Sequence, residues 1–173
     1  MNETPTLTKR RLQAQVIGPI YEEMVRQLGE EKAAEILDAA IRKAAIAEGQ
    51  YFAQRAPEGQ TSMRDFIALY DLWTSDSALE IDVLEASDTK FDFNVTRCRY
   101  AEMYKEMGLG EIGHLLSCNR DGTFCEGYDP NMTLQRDQTI MAGAPCCTFR
   151  YTYKGPDVKS GPAPRLHMHT PDL

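Results

Sequence analysis

Apolar residues recur at every fourth position from Leu12 through Val16, Ile20 and Met24 to Leu28, which predicts an amphipathic helix over 9–28. Gly18-Pro19 interrupts the stripe and predicts a kink, because proline removes a donor and crowds the preceding turn. Gly29 is the expected stop, and residues 1–8 read as a frayed leader. An alanine-rich second helix is expected over 30–55, its apolar face carrying Ala33, Ile36, Leu37, Ala40, Ile41 and Ala44. Such small side chains suit the close approach of another helix, in the core or on a partner subunit. Pro57-Glu58-Gly59 breaks the pattern, and Thr61 or Ser62 caps a third helix with Phe66, Leu69, Tyr70 and Trp73.

The period then drops to two. Leu79, Ile81 and Val83 alternate with Glu80, Asp82 and Leu84; after the Ser87-Asp88-Thr89 turn, Phe91, Phe93 and Val95 alternate with Asp92 and Asn94. This predicts a β-hairpin. Thr96 reads as the N-cap of a helix from about Arg97 to Met107, stopped by Gly108, and a shorter helix follows over 111–119. Asp121-Gly122 and Tyr128-Asp129-Pro130 read as turns, 132–136 and 147–153 as strands, and 140–145 as the connection between them. From Gly155 the chain is proline-rich, an irregular tail suited to wrapping another subunit or to disorder. The expected fold class is α+β in a single domain, 1–173. It comprises a helical part (1–75), an α+β part (76–154) with an antiparallel sheet of about four strands and helices packed on one face, and the tail (155–173).

A net charge of −7 argues against a general polyanion binder, and no basic block marks a nucleic-acid face. No apolar run approaches the roughly 18 residues of a membrane span. The N-terminus lacks the apolar core of a secretory signal. A cytoplasmic location is therefore expected, where thiols stay reduced. Five cysteines, an odd number, fit poorly with a closed disulfide framework.

All five, Cys98, Cys118, Cys125, Cys146 and Cys147, fall between Val95 and Tyr153, together with His114, Asp121 and Arg136. Met132, Leu134 and Arg136 share a strand face that is mostly apolar, so Arg136 is expected to point inward. It then either pairs with an internal carboxylate or clamps the carboxylate of a ligand. Cys147 shares a face with Phe149, Tyr151 and Tyr153, as a core residue or a pocket wall; Cys146 points the other way. His114 and Cys118, four apart, suit a thiolate–imidazolium pair or two metal ligands. Asp121 suits orienting a base or activating water, or simply closing a turn. No Cys-x-x-Cys pair is present, which disfavours a structural zinc. His167 and His169 in the tail are adventitious metal ligands at most.

The blocks Phe93-Asn-Val-Thr-Arg-Cys-Arg-Tyr100, Leu115-Leu-Ser-Cys-Asn-Arg-Asp121, Leu134-Gln-Arg-Asp-Gln-Thr-Ile-Met-Ala-Gly143 and Cys147-Thr-Phe-Arg-Tyr151 resemble the L-2-amino-thiazoline-4-carboxylic acid hydrolase family. The layout is also similar to 4-vinyl reductase-type small-molecule-binding domains, which share an α+β fold with TRAPP-like proteins. One block departs from the family pattern. Where the family commonly reads His-Cys-Asp-Phe, this chain has Cys146-Cys147-Thr148-Phe149. The resemblance implies a C–N hydrolase that adds water to a cyclic amidine and gives an N-carbamoyl amino acid. Such a reaction calls for a nucleophile or activated water, an acid for the leaving nitrogen, and a cation for the substrate carboxylate. On that footing Cys118 is the expected nucleophile, His114 its base, and Asp121 the group that orients water or grips the amidinium. Arg136 is the expected carboxylate clamp, with Cys98, Cys147, Arg120 and Thr139 on the substrate.

No cofactor is required, though a divalent metal stays open. The expected partner is a small-molecule substrate, with neither nucleic acid nor membrane, and a homo-oligomer is compatible with the alanine face and the tail. Two further readings remain: a non-catalytic sensor or carrier using the same pocket, and a thiol- or metal-handling protein.

Overall fold

The computed structural model describes residues 4–155; the expected tail, with His167 and His169, lies outside the described residues. Two long helices, α1 (Thr6–Leu28) and α2 (Glu30–Ala53), are followed by the short α3 (Met63–Leu69) and α4 (Asp71–Thr74). The hairpin β1 (Leu79–Ala86) and β2 (Lys90–Cys98) leads into α5 (Arg99–Glu106). A π-helical turn, His114–Cys118, runs directly into α6 (Asn119–Tyr128), and β3 (Met132–Gln135) and β4 (Cys147–Tyr153) complete an antiparallel sheet in the order β1-β2-β4-β3. The chain is thus α+β, with helices over one face of a four-stranded sheet. No helix among the described residues is long and apolar enough to cross a membrane.

Strict alternation builds the sheet. Phe91, Phe93 and Val95 of β2 and Cys147, Phe149, Tyr151 and Tyr153 of β4 are buried on one face. The other face carries Asp92, Asn94, Thr148 and Arg150, polar and partly exposed. Phe93 lies opposite Phe149 with rings stacked 4.8 Å apart, and Phe91 lies opposite Tyr151. Such cross-strand aromatic pairs fix the register, because a one-residue slip would turn every ring to water. β1 pairs with β2 through two register shifts, between Glu80 and Ile81 and between Val83 and Glu85.

Several local expectations yield to tertiary structure. Thr96 and Arg97 do not start a helix: β2 runs on to Cys98, which pairs with Leu79, and the Thr96 hydroxyl donates to the Glu80 carbonyl. Asp121-Gly122 is no turn but part of α6, because Thr123, Phe124, Cys125 and Tyr128 beyond it are all buried. Residues 6–8 belong to α1 rather than to a leader.

The largest departure concerns α1. Leu12, Val16, Ile20 and Leu28 are 52–63% exposed. The buried row is Thr6, Arg10, Ala14 and Gly18, also spaced by four but displaced by two positions. That row carries the small residues Ala14 and Gly18, and at Gly18 the helix packs against the Leu109 side chain. On α2, likewise, Ala33, Leu37, Ile41, Ala45 and Gly49 are buried, whereas Ile36, Ala40 and Ala44 of the expected face are exposed.

Candidate functional site

The buried face of the sheet and the helices above it enclose a cavity. Its atom-free space, counted out to its opening on solvent, is about 790 Å³. Aromatic rings make much of its wall, among them Tyr70, Trp73, Tyr100, Phe149 and Tyr151. Cys98, Cys118, Cys147, Arg120, Asp121 and Arg136 of the expected site residues line it as well.

Arg136 follows β3 and keeps the inward direction that the strand alternation predicts, with 14% of its side chain exposed. Its Nη1 donates to Asp121 Oδ2 at 2.5 Å, and its Nη2 donates to the Cys118 carbonyl at 2.8 Å. The guanidinium carbon stands 5.0 Å from the centre of the Phe149 ring. Arg136 thus forms an internal ion pair, and that pair is part of the cavity wall. The other Asp121 oxygen accepts no hydrogen bond among the described residues, and Asp121 lines the cavity.

Burial raises the Asp121 pKa above the ordinary carboxylate value, and the Arg136 charge reverses only part of that rise. Burial also opposes the Arg136 charge, but the facing carboxylate more than restores it. Cys118 is pushed up to about 12, first by burial and then by the Asp121 charge. Cys98 reaches about 11 by burial. Cys147 is raised by burial too, and its Sγ accepts from the Ile140 backbone N–H at 3.2 Å. These three cysteines are thiols at neutral pH, not thiolates.

A second charged cluster on the helical side of the cavity had no counterpart in the sequence reading beyond Arg120. Arg10 of α1 and Arg120 of α6 share the single carboxylate of Glu48 on α2, at 3.0 and 2.5 Å. Arg10 also donates to the Gln13 amide oxygen at 3.0 Å. Burial opposes the Glu48 charge, but the two guanidiniums more than reverse this and hold its pKa low. Arg120 is held below its usual value, by burial first and by repulsion from Arg10 next. The cluster exists because α2 and α6 touch backbone to backbone: a Cβ at Gly127 would sit 2.0 Å from the Ile46 carbonyl oxygen, and one at Gly49 2.3 Å from that of Phe124. Asn119 reinforces the contact by donating to Asp38 Oδ1 at 2.6 Å. The signal that could have found Arg10 is its place in the Ala14-Gly18 row.

Two expected residues stand elsewhere. His114 is exposed at the start of the π-turn and does not line the cavity. The turn packs against α2 through Asn119 and Asp38, which leaves His114 on the solvent side. Thr139 caps the turn Ile140–Ala142, its hydroxyl accepting from the Ala142 N–H at 3.2 Å, and is likewise not on the wall. Among the described residues, no three His, Cys, Asp or Glu side chains converge to hold a metal ion.

A structural match is the phenol-responsive sensory domain of the transcription activator PoxR with phenol, with a TM-score of 0.51 and 10% identity, covering 80% of this chain and 73% of that one. That likeness is one of fold. A trafficking protein particle complex subunit 3 from Naegleria fowleri, covalently bound to palmitic acid, matches with a TM-score of 0.47 and 13% identity over 86% of this chain and 96% of that one. No curated protein sequence is significantly similar to the chain. The family model for L-2-amino-thiazoline-4-carboxylic acid hydrolase matches residues 9–151, which take in both charged clusters and the whole cavity wall. The chain belongs to the L-2-amino-thiazoline-4-carboxylic acid hydrolase family.

Proposed function

We propose that the protein opens a small cyclic amidine bearing a carboxylate, 2-aminothiazoline-4-carboxylate or a close analogue, to the N-carbamoyl amino acid, with Asp121 as general base. Asp121 itself carries this reading. It is a carboxylate on a cavity wall rich in aromatic rings, fixed through one oxygen by Arg136 and with no partner in the described residues for the other. A raised pKa makes it a stronger base than an ordinary aspartate. Water held against that second oxygen gives it a proton while adding to the amidine carbon.

Atom balance then identifies the leaving group. An N-carbamoyl product keeps both nitrogens on the attacked carbon, so the bond that breaks is carbon–sulfur. One water proton ends on the ring nitrogen and the other on the released thiol. No acid is needed for a leaving nitrogen, contrary to the expectation of C–N cleavage.

The surroundings of Cys118 do not suit a nucleophile. Among the described residues no imidazole stands on the cavity wall to activate it, and burial keeps it protonated. Cys118, Cys98 and Cys147 serve in this reading as compact, polarisable walls. Cys118→Ser is expected to keep turnover within about tenfold of the parent, whereas loss of a nucleophile costs orders of magnitude.

The departure at Cys146-Cys147-Thr148 falls outside the cavity. Cys146 and Thr148 lie on the far side of β4, where the Gln138 amide donates to the Cys146 carbonyl and the Thr148 hydroxyl accepts from the Asp137 N–H. Only Cys147, which matches the family, faces the cavity.

Incubation with excess 2-aminothiazoline-4-carboxylate tests the reading. The expected result is a product heavier by one water, with one new thiol per turnover. Saturable binding without product would favour a sensor or carrier instead. The aromatic wall and the shared fold with a phenol-bound sensory domain keep that alternative physically reasonable.

A further inference from the structure

We infer that Arg10 and Arg120 form an anion subsite for the carboxylate of the ligand, held half-neutralised by Glu48 while the cavity is empty. The inference rests on the reading above only in taking the ligand to be a small carboxylate. Arg136, the expected clamp, is already engaged: its two terminal nitrogens serve Asp121 and the Cys118 carbonyl, and its charge is matched.

The helical cluster has charge to spare. Two guanidiniums face one carboxylate, so the cluster carries one uncompensated positive charge, and so, among the described residues, does the cavity lining, with Arg10, Arg120 and Arg136 against Glu48 and Asp121. Arg10 is only 5% and Arg120 only 9% exposed, so bulk water screens that excess poorly. Arg120 Nε is sealed and has no acceptor among the described residues, so an anion would meet the terminal nitrogens. Two arginines sharing one carboxylate on the wall of a cavity suit an incoming anion.

The two charged clusters then divide the ligand. Its carboxylate faces Arg10 and Arg120, and its amidine carbon faces Asp121. Glu48 competes with the ligand for the same donors, so it lowers affinity while it keeps the empty site folded.

Removing the two kinds of group should therefore act in opposite directions, which a purely structural cluster would not show. Two probe pairs serve: 2-aminothiazoline-4-carboxylate against 2-aminothiazoline, and benzoate against benzamide. Binding is read by calorimetry, or as kcat/KM where turnover occurs, with the thermal midpoint of each variant recorded. The parent is expected to prefer each acid over its counterpart without the carboxylate by about 10- to 100-fold. Arg120→Gln should abolish the preference for benzoate with benzamide binding unchanged, Arg120→Lys should restore part of it, and Glu48→Gln should tighten the acids. Equal binding of benzoate and benzamide by the parent overturns the subsite, as does weaker acid binding in Glu48→Gln. Because benzoate needs no turnover, absence of hydrolysis would reject the proposed activity and leave this test standing.

Discussion

Asp121→Asn is expected to lower turnover of the cyclic amidine by about 100- to 10,000-fold, the usual worth of a positioned general base. Asparagine preserves the shape and still offers Arg136 an acceptor, but it can neither take a proton from water nor match the guanidinium charge. The pH profile separates a base from a merely structural carboxylate. Asp121 acts in its ionised form, and burial has raised its pKa, so kcat/KM should climb with pH along a limb above the ordinary aspartate value of about 3.9. That limb should vanish in the asparagine variant. The same shift works against stability. A carboxyl that holds its proton more tightly folded than unfolded loses stability as pH rises from its unfolded pKa through its folded one. A profile without this limb, or an asparagine variant within tenfold of the parent, would reassign the chemistry.

The second large effect lies away from the cavity. Gly127→Ala should destabilise the fold by about 3 kcal/mol or more, because the new methyl group would meet the Ile46 backbone at 2.0 Å and backbone has little room to give. For a chain of this size that is a fall of roughly 6–12 °C in the thermal midpoint. Gly122 of the same helix is the control. Nothing lies within 4 Å of a Cβ there, so Gly122→Ala should be neutral or stabilising by up to about 1 kcal/mol through helix propensity. Thermal denaturation of the pair distinguishes packing from propensity, since propensity alone predicts a gain at both positions. Where Gly127→Ala still folds, the wedge between α2 and α6 should also draw Glu48 away from Arg120.

What could be read in advance follows from how each contact is encoded. Strand faces are written locally: Cys147, Phe149, Tyr151 and Tyr153 alternate, and so do Met132, Leu134 and Arg136, so the sheet wall and the inward Arg136 were legible. The helical wall was not. Arg10, Glu48 and Arg120 lie 38 and 72 positions apart along the chain, and an ion pair at such separation leaves no periodic trace. The apolar row of α1 was misleading because shape outweighed hydrophobicity: Ala14 and Gly18 admit a neighbour that Val16 and Ile20 would hold off. Asp121-Gly122 has the local chemistry of a turn, yet the buried side chains after it keep the helix intact. His114 shows the limit of spacing arguments, since four-residue spacing from Cys118 did not bring it to the cavity.

The irregular pairing of β1 bears on behaviour in concentrated solution. Among the described residues no strand pairs with its outer margin, and such an edge is the usual template on which sheets of separate molecules fuse. Two shifts in register break the even spacing that an added strand would need, and Glu80, Asp82 and Glu85 load the strand with negative charge. A second molecule approaching with the same strand meets mismatched amides and like charge. This border of the sheet is thereby protected against fibrous growth.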